Sequence, residues 1–328
     1  MKTVLVMILA VCVTAVGFAA GAVEETTRIG ISKIVAHPAL DAVEQGIQDE
    51  LAALGYTNIA YDLQNAAGDL STASQIASKF RADRVDVAVG IATPTAQALV
   101  AGIRDIPVIF TAVTDPVGAQ LVPSLAGGGG NVTGYSDLTP VREQIELLVQ
   151  LGAVTSIGHV YSSGEANAVV LAGMAREVAR ELGITFVEST VANSAEVRQA
   201  AQSIAGRVDV FYVSTDNTVV SALSALTDVA NAAGKPVVTA DPSSAEQYEV
   251  IAAYGFDYYT MGRATGRLIA EVLEGADPNT IPVQYLTDAE DLLLHVNVDV
   301  ARTLGIELPA AVIEAADVIV ENGVLRRR

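Results

Sequence analysis

The sequence predicts an α/β protein of two lobes, each a parallel β-sheet flanked by helices, and two observations carry that expectation. From Val85 to Pro116 an apolar run rich in Val and Ile, a small polar turn, a helical pattern, a Pro-led second apolar run and an Asp-Pro stop follow one another. This is the order of a βαβ unit, whose strands are buried on both faces and therefore read as continuous apolar runs. The same order returns from Val208 to Pro242. With 328 residues, 51% of them hydrophobic, the chain is long enough to build two cores.

The remaining elements follow in order. Arg28 to Val35 is strand-like, and Leu40, Val43, Ile47, Leu51 and Leu54 recur at helical spacing before stopping at Gly55. Thr57 to Leu63 is a second strand, and Ser71 to Arg81 a helix with Ile76 and Phe80 on one face. The second half restarts at Ser156. Ile157 to Ser163 answers Ile29 to Val35, the helix Ala166 to Leu182 stops at Gly183 as the first stops at Gly55, and Ile184 to Thr190 answers the second strand. The helix Ser194 to Gly206 leads into Arg207-Val208-Asp209-Val210, as the first lobe's second helix leads into Arg84-Val85-Asp86-Val87. General α/β patterning does not explain that repeated tetrapeptide, so a whole lobe has been duplicated.

Between the copies lie Gly127 to Gly130, the segment Asn131 to Leu138 and an amphipathic helix from Pro140 to Leu151. The four glycines lack the preceding strand and the Gly-Lys-Ser/Thr helix start of a phosphate cradle, and are expected to form a flexible surface loop. Beyond Asp241 come a strand Val250 to Gly255, a helix Asp257 to Leu273, strands at Pro282 to Leu286 and Leu292 to Asn297, and a last helical stretch toward Val320. Arg326 to Arg328 reads as a solvated end. These pieces exceed one lobe's needs, so the chain is expected to cross between lobes more than once.

The N-terminus, a Lys2 start, an apolar run from Val4 to Phe18 and small residues through Ala22, has the design of an export signal over residues 1–22. Its apolar run is shorter than the roughly 20 residues of a spanning helix. Cys12, the single cysteine, falls inside it, so the mature chain has no disulfide and no thiol nucleophile. Lipid attachment at Cys12 ranks behind simple cleavage because bulky Val11 precedes it. A net charge of −19 argues against nucleic acid and anionic lipid as partners.

Little in the chain points to catalysis. His37, His159 and His295 are the only histidines, the last two lie in apolar runs, and no acidic residue stands at metal-ligand spacing from them. Gly-x-Ser-x-Gly, Walker and Gly-x-Gly-x-x-Gly signatures are absent. No cofactor or metal is expected. Short polar residues collect where the strands end, which is where such sheets hold ligands. They are His37-Pro38, Thr93-Pro94-Thr95, Thr114-Asp115, Ser162 to Asn167, Thr215-Asp216-Asn217 and Asp241. Hydroxyls and helix-start N–H groups can hold a carboxylate, and a buried Asp can hold an ammonium. Taken singly, each residue serves equally well as a helix cap. Glu165, in the first turn of its helix, speaks against an anion beside it.

The ordered segments His37 to Gly46, Ala92 to Leu99, Phe110 to Val122, Asn131 to Leu138, Ser162 to Ala168, Ser214 to Leu223 and Tyr254 to Gly266 resemble the periplasmic-binding proteins of ABC importers, and among them the tryptophan/tyrosine-type branch. The resemblance runs from Arg28 to Val320. It implies the type I fold: two Rossmann-like lobes with parallel sheets, joined by three hinge crossings. The lobes would be residues 23–152 plus 257–290 and residues 153–256 plus 291–320, with 321–328 as a tail. It further implies a monomeric extracytoplasmic protein that captures a small ligand and hands it to a membrane permease. Its pocket would use His37, Pro38, Thr93, Thr114, Asp115 and Asp137 from one side, and Ser163, Ala166, Asn167, Asp216, Asn217 and Asp241 from the other. An amino acid, aromatic by preference, is the expected ligand. A sugar or nucleoside binder and a ligand-sensing receptor subunit are the alternatives. The absence of Trp and a content of 5% aromatic residues leave no stacking platform visible.

Overall fold

The computed structural model describes residues 26–288 and 291–328, so the expected export signal and Cys12 lie outside the described residues. The first sheet is built from β1 (Thr27–Lys33), β2 (Ile59–Asn65), β3 (Val87–Ile91), β4 (Val108–Val113), β5 (Val132–Ser136) and β11 (Gln284–Tyr285), in the spatial order β11-β5-β4-β3-β1-β2. The second takes β6 (Ser156–Ser162), β7 (Thr185–Val191), β8 (Val210–Val213), β9 (Val237–Thr239), β10 (Ala252–Phe256), β12 (Leu292–Asn297), β13 (Val318–Glu321) and β14 (Val324–Arg327). Its order, β14-β13-β12-β10-β9-β8-β6-β7, repeats the pattern of the first. The chain passes between the sheets three times: after β5, between β10 and β11, and between β11 and β12.

In each lobe the first strand lies between the second and the third, so strand order reverses there and a crevice opens at the strand ends. The duplicated Arg-Val-Asp-Val has a structural job at the opposite ends. Asp86 accepts the N–H of Arg28 at 2.7 Å, tying β3 to β1. Asp209 accepts the N–H groups of Thr155 and Ser156, both at 2.9 Å, ahead of β8. Those donors pull the Asp209 carboxyl down to about 2.

Around the first sheet pack α1 (Pro38–Ala53), α2 (Leu70–Asp83), α3 (Thr93–Gly102) and α10 (Tyr258–Leu273). The first core centres on Ile31, Ile47, Phe80, Val89, Ile109 and Met261. The second lobe carries α4 (Val141–Gln150), α5 (Ala166–Glu181), α6 (Val197–Ala205), α7 (Asn217–Val220), α8 (Leu223–Ala232), α9 (Pro242–Ala245), α11 (Val298–Leu304) and α12 (Ala310–Ala315).

Several expectations are corrected. Residues 141–152 were assigned to the first lobe, yet Val141, Ile145, Leu148 and Leu151 are buried with Leu171, Ala175 and Tyr212 in a core of the second. The apolar stripe of α4 matches the face of α5, so the chain has already crossed when the helix begins. Residues 321–328 are not a free tail, because β14 pairs antiparallel with β13, and Arg326 and Arg327 form ion pairs with Glu321 and Glu246. The helical stretch toward Val320 is two short helices followed by β13. The glycine loop is pinned: the N–H groups of Gly128 and Gly130 donate to Asn279, at 2.9 and 3.0 Å.

Candidate functional site

A small cavity lies between the lobes. His37, Ala39, Leu40, Ala112, Thr114, Asp137 and Tyr258 line it from one side, and Asn167, Thr215, Asp216, Asn217, Val220 and Asp241 from the other. Each polar residue stands just beyond the carboxyl end of a strand, on the loop or first turn that follows. His37 Nε2 lies 3.4 Å from Asn217 Oδ1, a hydrogen bond from one lobe to the other.

Of the sequence-predicted residues, His37, Thr114, Asp137, Asn167, Asp216, Asn217 and Asp241 come together on this cavity. Ala166 is half-buried next to Asn167. Pro38 lines an adjoining groove. Thr93 is buried in the first turn of α3 with its hydroxyl unpartnered, and is not among the cavity-lining residues. Asp115 and Ser163 also stand outside the cavity lining. Asp115 accepts the N–H of Gly118 at 2.8 Å, closing a local turn, and Ser163 is exposed on the loop after β6.

Helix capping and ligand binding can now be separated. Asp216 accepts the N–H of Val219 at 3.0 Å with Oδ1 and that of Ser162 at 2.6 Å with Oδ2. Asp241 accepts the N–H of Ser243 at 2.9 Å and the hydroxyl of Ser244. Both cap short helices and also face the cavity. His37 and Glu165, which precede α1 and α5, make no side-chain cap to their own helices.

Two of the lining carboxyls are held away from their ordinary behaviour. Asp137 accepts hydroxyls from Thr114 at 3.2 Å and Tyr258 at 2.9 Å, but burial outweighs them and pushes its carboxyl up to about 6. Asp216 is pushed up to about 8, first by burial and then by the neighbouring charge of Glu165. Burial draws the His37 ring down despite Asp241 nearby. The cavity lining contains three Asp and no Lys or Arg, so these carboxylates lack a basic partner in the cavity wall. Of the lining groups, His37 Nδ1, Asn167 Oδ1 and Thr215 Oγ1 have no partner. Among the described residues no His, Cys, Asp or Glu cluster could hold a metal.

Sequence reading missed Tyr258 and the apolar lining of Ala39, Leu40, Ala112 and Val220, while Thr215, noted among the strand-end polar residues, does line the cavity. Tyr258 arrives from the chain's second crossing, and its only signal was the helix start after Asp257. Ala112 reaches the cavity because β4 bulges between Phe110 and Val113 and gives it a φ of 53°. Apolar residues inside a strand-like run carry no mark of such a bulge.

Comparison with known proteins gives concordant matches. Residues 28–320 match the family described as ABC transporter substrate binding protein. The tyrosine-binding protein of Clostridioides difficile is 38% identical over 284 residues, 85% of this chain and 81% of that one. An ABC domain from Streptococcus pneumonia, solved in complex with L-Trp, superposes with a TM-score of 0.86 at 34% identity, covering 90% of this chain and all of the other. A ligand-free, open substrate binding protein with adhesive properties from Clostridium difficile superposes at only 0.65, at 37% identity, covering 87% and 96%.

Proposed function

This chain belongs to the ABC transporter substrate binding protein family, and from that membership we propose that it captures one aromatic amino acid between its lobes outside the cytoplasmic membrane and presents it to a membrane permease. The observation that carries the ligand class is the interlobe cavity, lined by three Asp and by no Lys or Arg. An α-ammonium can be held by carboxylates and neutral acceptors. Leu40, Ala112 and Val220 supply an apolar wall for a ring. The relatives that bind tyrosine or L-Trp support the same class.

Binding and closure are one event in this reading, because both lobes touch the ligand only when closed. The His37–Asn217 bond across the cleft belongs to the closed form. No chemical step is required of the protein. Residues 1–22 would act as the export signal and be removed.

A thermal-shift screen of the mature protein against amino acids, sugars and nucleosides tests the ligand class. L-tyrosine or L-tryptophan should raise Tm by several degrees, as ligands that bind only the folded state must. A response confined to sugars would overturn the proposal.

A further inference from the structure

We infer that Glu165, which does not itself line the cavity, is a positioning residue that makes hydrogen-bond acceptors of His37 and Asn167 and so reserves their end of the cavity for the ligand's ammonium group. The inference rests on the amino-acid reading above and deepens it.

The argument follows donors and acceptors from a single carboxylate. Glu165 is 6% exposed. Its Oε1 accepts from the N–H and the hydroxyl of Thr218 at 2.9 and 2.6 Å. Its Oε2 accepts from Asn217 Nδ2 at 2.6 Å and from Asn167 Nδ2 at 3.4 Å. An ionised carboxylate only accepts, so the Asn217 amide must turn its nitrogen to Glu165 and its oxygen away. That oxygen faces His37 Nε2 at 3.4 Å. An amide oxygen also only accepts, so Nε2 must carry the ring proton. In the neutral ring, Nδ1 is then a bare lone pair. Nδ1 is buried without a protein partner, and His37 lines the cavity.

Asn167 is set by the same logic. Its Nδ2 also donates to the backbone carbonyl of Thr215 at 2.9 Å, which leaves Oδ1 buried and unpartnered. Two neutral acceptors thus stand in the cavity wall with Asp216 and Asp241, and no basic side chain accompanies them. A ligand carboxylate placed against His37 Nδ1 and Asn167 Oδ1 would meet lone pairs. An ammonium, with three donors, matches them. Glu165 was read from sequence as an obstacle to an anion beside it, and the wiring extends that role across the cleft to His37.

Calorimetric titrations of wild type and Glu165→Gln with L-tyrosine, 3-(4-hydroxyphenyl)propionate and L-phenylalanine test this. The wild type should prefer tyrosine over its desamino analogue by about 100-fold or more, since buried acceptors left unpaired reject the analogue. In Glu165→Gln, whose amide can donate and so releases Asn217 to flip, that ratio should fall at least ~10-fold, with the tyrosine-to-phenylalanine ratio unchanged. An unchanged desamino ratio, or a change in the phenylalanine ratio instead, overturns the inference. Failure of the wild type to bind any of the three, with L-tryptophan not binding either, would overturn the amino-acid reading itself. Long-range ¹H–¹⁵N NMR of the wild type gives a second readout that does not depend on the variant folding. His37 should carry its proton on Nε2, and a proton on Nδ1 would contradict the wiring.

Discussion

Asp216 condenses the problem of reading this site from single residues. Its position after β8 fits a helix cap and a ligand contact equally well, and the structure has it do one while facing the place of the other. What composition could not convey is its environment: complete burial and a second carboxylate, Glu165, bonded to the same turn. With its carboxyl raised to about 8, Asp216 favours the protonated form at neutral pH in the ligand-free cavity. A raised carboxyl contributes stability that is present below the ordinary carboxylate pKa and lost as pH climbs toward 8. An ammonium beside it reverses that preference. Ligand binding should therefore expel a proton, and affinity should climb with pH between about 6 and 8, by up to ~10-fold per unit for one proton. Titrations at pH 7 in buffers of different ionisation heat will show the proton. Binding without proton release would mean that the ammonium lies elsewhere.

At the scale of elements, the pairing of α1 with α10 locks the first lobe. A Cβ added to Gly262 would lie 2.3 Å from the Val43 carbonyl oxygen, and one added to Gly46 2.4 Å from that of Tyr259. The two backbones touch, and buried Glu50 on α1 joins Arg263 at 2.6 Å and Arg267 at 3.0 Å on α10. Gly262→Ala should cost about 1–3 kcal/mol through forced displacement of α1. Gly173→Ala in α5, where a Cβ meets nothing within 4 Å, should instead stabilise by about 0.5–1 kcal/mol. Denaturant midpoints of the two variants check both signs. Elements with strong periodicity, α1, α2, α5 and the buried strands, were legible because burial on a regular face leaves a regular pattern. The second copy's α7 and α8 read as one helix because the break at Ser221-Ala222 lacks both Gly and Pro. The hairpin of β13 and β14 stayed hidden because its last strand is exposed along its whole length and rich in arginine.

At the scale of the molecule, duplication explains the architecture, and the divergence of the copies explains the site. The two lobes and their order of strands were visible in the repeated Arg-Val-Asp-Val and the Pro-led strands. The place of crossing was not, since the amphipathic pattern of α4 says only that it packs, not on which lobe. Seven predicted site residues meet on one cavity because the strand ends of both copies face the same crevice. Tyr258 could join them only through a crossing that local pattern does not reveal. The central claim is that this crevice closes on an aromatic amino acid. Isothermal titration of the mature protein with L-tyrosine and L-tryptophan tests it most directly. The account predicts saturable binding of at least one of them with one ligand per chain. Absence of binding by both, with saturable binding of a sugar or nucleoside under the same conditions, would contradict it.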